Sequence, residues 1–203
     1  SDLAVGNLRT HANGMRVSEL GGNAAEGVAH RLADGMILGI MRGPAEFGPR
    51  ALGHRSILAD PRPAGMKDAL NRRVKGREAY RPFAPVIPLN RVMEWFEHSV
   101  ASPYMSFALP WRASRRTDVP AVVHEDGTGR LQTVCPDSAP WMQDVVTEFE
   151  KLTQVPVVLN TSFNIMGKPI VDTVEDAVAM LLTSGLDGVL IDDLLIEKPS
   201  PSP

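Results

Sequence analysis

The sequence predicts an α/β fold in which helices flank a twisted, open, mixed sheet. Short apolar runs of strand length alternate along the 203 residues with segments of helical period. The run over 155–160, VPVVLN, is rich in β-branched residues and is typical of a central strand. Other strands are separated by tight turns that join antiparallel neighbours, so the predicted sheet is not purely parallel.

The first half of the chain begins with a segment that has no clear period. Residues 1–22 are polar and glycine-rich, and we expect an arm or linker that is ordered only where it packs on the domain or on a partner. The pattern then predicts a helix from Asn23 that Gly35 closes, strands over 36–41 and 56–60, and a helix over 64–74. Three prolines in 81–88 predict an extended segment, placed at an edge of the sheet.

The second half contains the clearest helix, over 139–152, with Ser138 as its N-cap and Pro140 in its first turn. Thr173 and Asp176 resemble a capping box for a helix over 174–184 that Gly185 closes. The pattern also predicts a helix over 91–98, strands over 104–109, 119–125, 130–134, 188–191 and 194–198, a tight hairpin turn over 126–129, and a frayed tail after 198.

The composition is that of an ordinary folded protein, with 43% hydrophobic and 22% charged residues. No apolar run approaches the roughly 18 residues of a membrane span, and the first residues lack the features of a signal peptide. The single cysteine, Cys135, excludes an internal disulfide framework, suits a reducing cytoplasm and is expected to be a small buried residue. The five histidines have no spacing that indicates a metal site.

The stretch over 46–85 is the most informative part of the chain. It carries nine basic side chains and four acidic ones, although the whole chain has a formal net charge of −3. Glycine and proline stand directly beside several of these basic residues, which favours a local anion site over a solvated basic face. Several arginines and one lysine suit a polyphosphate, because each guanidinium donates two parallel hydrogen bonds. The usual glycine-rich nucleotide loops are absent.

A second polar cluster directly follows the predicted central strand. Asn160, Ser162 and Asn164 lie where ligands of open α/β sheets gather, and the spacing of two directs Ser162 and Asn164 to one side of an extended chain. The cluster therefore predicts a polar grip on one ligand. A turn that caps its own backbone explains the same residues equally well at this point.

Several motifs in order resemble the C-terminal domain of the O-carbamoyltransferase family, which includes NodU-type nodulation proteins and antibiotic-tailoring carbamoyltransferases. They are EFGPRALGHRSILADPR, RPFAP, SPYM, DGTGRLQTV and LNTSFN-x-x-GKPIV, and the resemblance runs from about Gly35 to Lys198. This chain departs from the family pattern before FGPR, where Gly-Arg-Met-Glu is expected and the basic residue stands instead at Arg42.

The resemblance implies a domain over 23–203 that is similar in fold to the YrdC-type threonylcarbamoyl-adenylate synthases. Their K-x-R and S-x-N motifs match Lys75, Arg77, Ser162 and Asn164, which are the expected catalytic residues. By the family pattern, carbamoyl phosphate and ATP, with Mg²⁺ as its companion ion, react in a cationic cavity to give carbamoyl-adenylate and pyrophosphate. A separate N-terminal domain, which is absent from this chain and holds a metal, then transfers the carbamoyl group to an acceptor hydroxyl.

The remaining assignments follow from the same resemblance and from the charges. The side chains expected to bind the phosphates of ATP and carbamoyl phosphate are Arg50, Arg55, Arg81 and Arg130, with Asn160 as a supporting neighbour. Two alternatives stay open: a module that binds RNA or serves tRNA modification, and a docking face for an acidic partner. The pI of about 5.9 and the aromatic content of 5% weigh against nucleic acid.

Overall fold

A computed structural model describes residues 14–165 and 167–199 of the chain. Nine strands of this part form one open sheet in the order β1-β9-β8-β2-β3-β7-β4-β6-β5. The strands are β1 (Arg16–Glu19), β2 (Leu38–Met41), β3 (Arg55–Ala59), β4 (Ala84–Pro88), β5 (Phe107–Pro110), β6 (Thr128–Val134), β7 (Val158–Ser162), β8 (Gly188–Ile191) and β9 (Leu194–Glu197).

Five α-helical segments accompany the sheet: α1 (Ala24–Ala33), α2 (Met66–Ala69), α3 (Val92–Trp95), α4 (Pro140–Thr153) and α5 (Val174–Thr183). The helix α2 continues directly into a π-helical turn over Leu70–Lys75. Short 3-10 turns occupy Gly21–Asn23, Leu89–Arg91, Ala113–Arg115 and Pro120–Val122. Among the described residues, no helix is both long enough and apolar enough to cross a membrane.

The sheet is mixed, as predicted. The pairs β2/β8 and β4/β6 are parallel, while all other neighbouring strands run antiparallel. Strand β7 lies between β3 and β4, which confirms that the β-branched run belongs to the interior of the sheet.

Two apolar clusters cover the two faces of the sheet. On one face, α1 and α4 pack Val28 and Phe149 against strand residues such as Val158. On the other face, the π-helical turn and α5 pack Val74 and Leu181 in the cluster that contains Ile57 and Leu159. We name these the α1/α4 face and the α5 face. Side chains alternate between the two faces along each strand.

Helix α5 begins with the predicted capping box. Thr173 Oγ1 accepts from the backbone N–H of Asp176 at 3.1 Å, and the Asp176 carboxylate accepts from the N–H of Thr173. Helix α4 begins one residue later than predicted, since its N-cap is Ala139 and not Ser138. Proline is favoured at the first helical position, so Pro140 places the cap at the residue before it. Ser138 Oγ lies instead 3.2 Å from Cys135 Sγ, and Cys135 is half-buried, not buried as expected.

The proline-rich segment over 81–88 is not an edge. Its strand β4 lies inside the sheet, between β7 and β6. Pro85 pairs with Leu159 of β7, while the pairing with β6 begins only at Val86. The missing N–H of Pro85 therefore lies at a position where β4 pairs with one neighbouring strand and not with two. Pro88 is the last residue of the strand.

The predicted strand over 119–125 is also wrong. Residues Pro120–Val122 form a 3-10 turn, because proline starts such a turn readily and the N–H of Ala121 donates to Pro61 O. Strand β6 pairs instead with Phe107–Pro110, so the turn before Thr128 does not join two paired strands.

The predicted N-terminal arm is only partly described, since residues 1–13 lie outside the described range, as does the tail over 200–203. The described part contains β1, which pairs antiparallel with β9 and forms one edge of the sheet.

Candidate functional site

A cavity of about 330 Å³ opens where strand β7 ends. Eight of the nine side chains that the sequence singled out line it: Arg50, Lys75, Arg77, Arg81, Arg130, Asn160, Ser162 and Asn164. They come from four separate parts of the chain, so the convergence is a property of the fold and not of sequence proximity. The apolar part of the wall includes Pro49, Phe83, Met105 and Ile165.

The register of the sheet places the floor of this cavity. Asn160 of β7 lies directly opposite Ala84 of β4, and Val86 of β4 lies opposite Gln132 of β6. Continuing that register by two residues brings Arg130 level with Ala84. Because residues level across a sheet share a face, Ala84, Arg130 and Asn160 form one row on the α1/α4 face, where they line the cavity.

The π-helical turn carries the first half of the basic motif. Lys75 is its last residue, and Gly76 follows with φ +61°, a left-handed conformation that glycine adopts without steric cost. Asn71, which the sequence analysis did not select, then fixes the next turn of the chain. Its Oδ1 accepts from Arg77 Nε at 2.7 Å, and its Nδ2 donates to the carbonyl oxygens of Ala79 and Arg81 at 3.1 Å each.

Lys75 joins the basic stretch to the polar cluster after β7. Its Nζ donates to Asn164 Oδ1 at 2.9 Å, to Asn164 O at 3.0 Å and to the backbone oxygen of Ser162. Ser162 Oγ donates in turn to Asn164 Oδ1 at 2.7 Å, and Asn164 Nδ2 donates to Lys168 O at 2.8 Å. The two predicted motifs are therefore in direct contact, and the ammonium group holds the loop after β7 in place.

The cavity is strongly cationic, and its positive charges repel one another. Lys75 is only 3% exposed, and burial together with the nearby Arg77 and Arg81 lowers the pKa of its ammonium to about 7. Burial and Arg81 lower the pKa of Arg77 to about 10. Burial and the neighbouring Arg50 likewise lower the pKa of Arg130.

No carboxylate of the described residues balances these charges in the cavity. Within the described part of the chain, none of Arg50, Lys75, Arg77, Arg81 and Arg130 lies within 4.0 Å of a carboxylate oxygen, and no Asp or Glu side chain lines the cavity. Seven other arginines of the described chain form ion pairs with carboxylates. A concave site with several unbalanced cations is suited to bind an anionic ligand.

Arg55 is the predicted residue that the structure does not bring to the cavity. It shares the α5 face with Ile57, opposite to the face that forms the floor. Its guanidinium is buried and donates to the carbonyl oxygens of Gly43 and His54 at 3.0 Å each, so it supports a loop. Arg42 also lies elsewhere, since its Nη1 donates to Asp193 Oδ1 at 2.6 Å and its guanidinium stacks over Trp141.

Glu46 organises the loop that presents Arg50, and the sequence analysis missed this role. Its Oε1 accepts from the N–H groups of Leu52 at 2.6 Å and His54 at 2.7 Å, while its Oε2 accepts from the N–H of Arg55 at 3.1 Å. An acidic residue at the start of a basic, glycine-rich stretch was the available signal, because buried or crowded N–H groups require an acceptor.

The other side of the same loop is held by Gln132 and Asn160. Gln132 Nε2 donates to Leu52 O at 2.8 Å. Asn160 Nδ2 donates to Ala51 O at 3.1 Å and to Gln132 Oε1 at 2.7 Å. Gln132 gave no comparable signal, because β6 contains other polar residues beside it. Over 14–165 and 167–199, no group of three or more His, Cys, Asp or Glu side chains is placed to hold a metal ion.

Comparison with protein families supplies the context for this site. The family of carbamoyltransferase C-terminal domains matches residues 29–198. The chain belongs to that family. The nodulation protein NolNO of Sinorhizobium fredii is 48% identical over 184 residues, which are 89% of this chain and 27% of the relative. The nodulation protein NolO of Bradyrhizobium diazoefficiens is 43% identical over 201 residues, 98% of this chain and 36% of the relative. The carbamoyltransferase domain described here thus spans about a third of the length of these relatives.

Two solved structures share the fold of this carbamoyltransferase domain. Full-length HypF in its phosphate- and nucleotide-bound form aligns over 89% of this chain and 22% of its own, with a TM-score of 0.55 and 19% identity. P. abyssi Sua5 in complex with L-threonine aligns over 86% of this chain and 47% of its own, with a TM-score of 0.55 and 12% identity. These likenesses confirm the predicted YrdC-like fold.

Proposed function

We propose that this domain binds ATP and carbamoyl phosphate in the cationic cavity and forms carbamoyl-adenylate. The observation that carries the proposal is the contact of Lys75 with Ser162 and Asn164 in a cavity whose cations have no carboxylate partner among the described residues. Membership of the carbamoyltransferase family supports a transferase role. The phosphate- and nucleotide-bound state of HypF, which shares the fold, agrees with a nucleotide ligand here.

The proposed chemistry requires little proton transfer. Carbamoyl phosphate gives up its phosphoryl group to water, which releases inorganic phosphate and leaves a carbamate anion. An oxygen of the carbamate then attacks the α-phosphorus of ATP, the bond from that phosphorus to the oxygen bridging to the β-phosphate breaks, and pyrophosphate leaves. Since the nucleophile is already anionic, positioning and charge stabilisation provide the catalysis.

The arginines and the lysine have different roles in this scheme. Arg50, Arg81 and Arg130 contact the phosphates, since no described carboxylate neutralises them. Arg77 is held by Asn71 and stacks over the ring of Phe83 at 4.8 Å, so its guanidinium is positioned before the ligand arrives. Lys75 holds the Ser162–Asn164 loop. No described carboxylate lines the cavity to hold a metal ion, so Mg²⁺ accompanying ATP would take its ligands from the nucleotide and would add positive charge at the phosphates.

The longer relatives suggest where the product goes. Because this chain spans about a third of their length, we propose that an N-terminal domain of the same protein completes the reaction. That domain would hold the metal ion expected from the family and transfer the carbamoyl group from the adenylate to a hydroxyl group of an acceptor.

Substitutions within one basic stretch test the proposal. We expect Lys75→Ala and Arg77→Ala each to lower carbamoyl-phosphate-dependent release of pyrophosphate from ATP by at least about a hundredfold, as loss of a charge-stabilising donor does. Arg72→Ala is the matched control, because Arg72 is exposed, pairs only with Asp68 at 3.7 Å and does not line the cavity. It should keep full turnover, and circular dichroism should show that all three variants are folded.

Undiminished turnover in Lys75→Ala and Arg77→Ala would disprove these assignments. Isothermal titration of the chain with ATP and with carbamoyl phosphate provides a second test that does not depend on turnover. Failure to bind either ligand would favour a docking face for an acidic partner. Binding of tRNA that weakens steeply with salt and is indifferent to nucleotide would favour the RNA-binding alternative.

A further inference from the structure

The amide of Asn160 lies at the back of the cationic cavity, between the sheet and the loop that carries Arg50. Its side chain is 1% exposed, yet the residue lines the cavity together with Arg130, which lies in the same row of the sheet. Strand alternation also directs Asn160 and Ser162 to the same side of β7. Asn160 is thus a buried polar residue within the site. Its side-chain oxygen, Oδ1, has no role in the proposed binding of phosphates.

The orientation of this amide is fixed by a chain of hydrogen bonds that ends on the backbone. Leu52 O accepts from Gln132 Nε2 at 2.8 Å, so the Oε1 of Gln132 must face Asn160. Only an N–H can donate to that oxygen, and Asn160 Nδ2 does so at 2.7 Å while its second proton goes to Ala51 O at 3.1 Å. Rotating the amide would oppose oxygen to oxygen at both contacts, which leaves Oδ1 as the atom without a role in the network.

Oδ1 of Asn160 is buried and accepts no hydrogen bond from any residue over 14–165 and 167–199. Buried acceptors without a partner are rare, since their desolvation is not compensated. The arginines that line the cavity can only donate hydrogen bonds, so they suit the oxygens of a ligand and not its N–H groups; they are Arg50, Arg77, Arg81 and Arg130. The cavity therefore combines a wall for phosphate oxygens with a buried acceptor that calls for an N–H on the same ligand.

We propose that Asn160 Oδ1 accepts a hydrogen bond from the amino group of carbamoyl phosphate and thereby selects it over acyl phosphates that lack an N–H. This inference rests on the proposed function and names the group that determines which acyl donor is used. Carbamoyl phosphate presents phosphate oxygens and an amino group a few bonds apart, as the cavity requires. The amino group of adenine is a poorer match, because the ribose separates it from the phosphates, whereas Asn160 lies in one row with Arg130 and two residues from Ser162.

Acetyl phosphate is the matched probe, because a methyl group of similar size replaces the amino group. Isothermal titration of the unaltered chain should show binding of carbamoyl phosphate at least about a hundredfold tighter than binding of acetyl phosphate, as sites built for a substrate N–H reject analogues without one. In Asn160→Ala the two affinities should approach each other to within about fivefold, because the unpaired oxygen is gone.

Gln132→Ala is the control for loss of structure. It removes one anchor of the Arg50 loop, as Asn160→Ala does, but it keeps Oδ1 and leaves Ala51 O to hold the Asn160 amide in the same orientation. This variant should weaken binding of both acyl phosphates alike and retain the preference for carbamoyl phosphate. Asn160→Val serves as a second replacement if the alanine variant does not fold, because valine suits a strand and offers no acceptor.

Three results would overturn the inference. The first is equal affinity of the unaltered chain for the two acyl phosphates, a result that can be interpreted without any variant. A preference that survives Asn160→Ala or Asn160→Val would exclude Oδ1 as its cause. Loss of the preference in Gln132→Ala would show that the preference depends on the shape of the loop and not on Oδ1. Each of these leaves the proposed function standing, whereas a chain that binds no carbamoyl phosphate contradicts both.

Discussion

Arginine is used in opposite ways in the cationic cavity and around strands β8 and β9. Near these strands each of three arginines has a carboxylate partner: Arg31 with Glu197 at 3.0 Å, Arg42 with Asp193 at 2.6 Å and Arg73 with Asp187 at 3.4 Å. In the cavity, five cations converge and none has such a partner among the described residues. In the first region the fold neutralises its own positive charge, and in the second the described residues leave that charge unneutralised.

The same contrast is visible in proton affinity. Lys75, Arg77 and Arg130 all have lowered pKa values, because burial and like charges oppose their protonated forms. Arg91, outside the cavity, has a raised pKa because it bonds to Glu94 and Glu150. An anion bound in the cavity would stabilise the protonated forms of these side chains, as the two carboxylates stabilise that of Arg91. A cluster of basic residues is therefore a better candidate for an anion site where carboxylate partners within the fold are missing.

The largest expected effect concerns the buried charge of Lys75. Its pKa falls from 10.5 in the unfolded chain to about 7 in the fold, so the unfolded state binds more protons between these two values. The free energy of unfolding should therefore rise from pH 7 to about 10.5, by about 5 kcal/mol from this group, and lose that gain as the pH falls through 7. Urea denaturation across this range should show a smaller rise in Lys75→Met. Parallel curves for the two proteins would mean that Lys75 carries no uncompensated charge.

An intermediate effect is expected at the other region of the comparison. Arg31→Ala leaves the largely buried carboxylate of Glu197 without its partner, and we expect a loss of about 1–3 kcal/mol in the free energy of unfolding. Binding of inorganic pyrophosphate, measured by titration calorimetry, should not change. A weakened affinity for pyrophosphate would show that the two regions are not independent.

The smallest effect on stability is expected for removal of an arginine from the cavity. Arg130→Met removes a cation that the described structure leaves unpaired, so the free energy of unfolding should stay within about 1 kcal/mol of the original value and should not fall. Affinity for pyrophosphate should drop by about tenfold, since one charge-assisted contact is lost. A large loss of stability with unchanged affinity would reverse the roles assigned to the two regions.

Local patterns predicted the elements whose signals are local. The capping box of α5 and the β-branched run of β7 depend on residues close in sequence, and both are confirmed. Strand β4 was wrongly predicted to lie at an edge. A proline destabilises a strand only where its missing N–H would have bonded to a neighbouring strand, and the sequence does not show which residues pair. The run over 119–125 was misread because a short apolar segment suits a strand and a buried turn equally.

Most of the predicted site residues line one cavity, but the residues that support them could not be predicted from the sequence. The spacing of Lys75 with Arg77 and of Ser162 with Asn164, read with the family resemblance, selected residues that meet in one cavity. Arg55 was included because it belongs to the basic stretch over 46–85 and to a family motif. Counting in twos from Ile57 assigns it to the α5 face, opposite to the floor of the cavity. The bond from Gln132 to Leu52 spans 80 positions, and no spacing rule connects residues so far apart.

The pairing of the first and last strands has a mechanical consequence. Arg16, the first residue of β1, pairs with Glu197, the last residue of β9. The start of β1 and the end of β9 therefore lie at the same end of this strand pair. A force that pulls these two ends apart meets the hydrogen bonds of the pair one after another, as in opening a zipper, and not all together. We expect this edge to peel away at low tension, while β7 and its cavity, four strands further into the sheet than β9, stay intact.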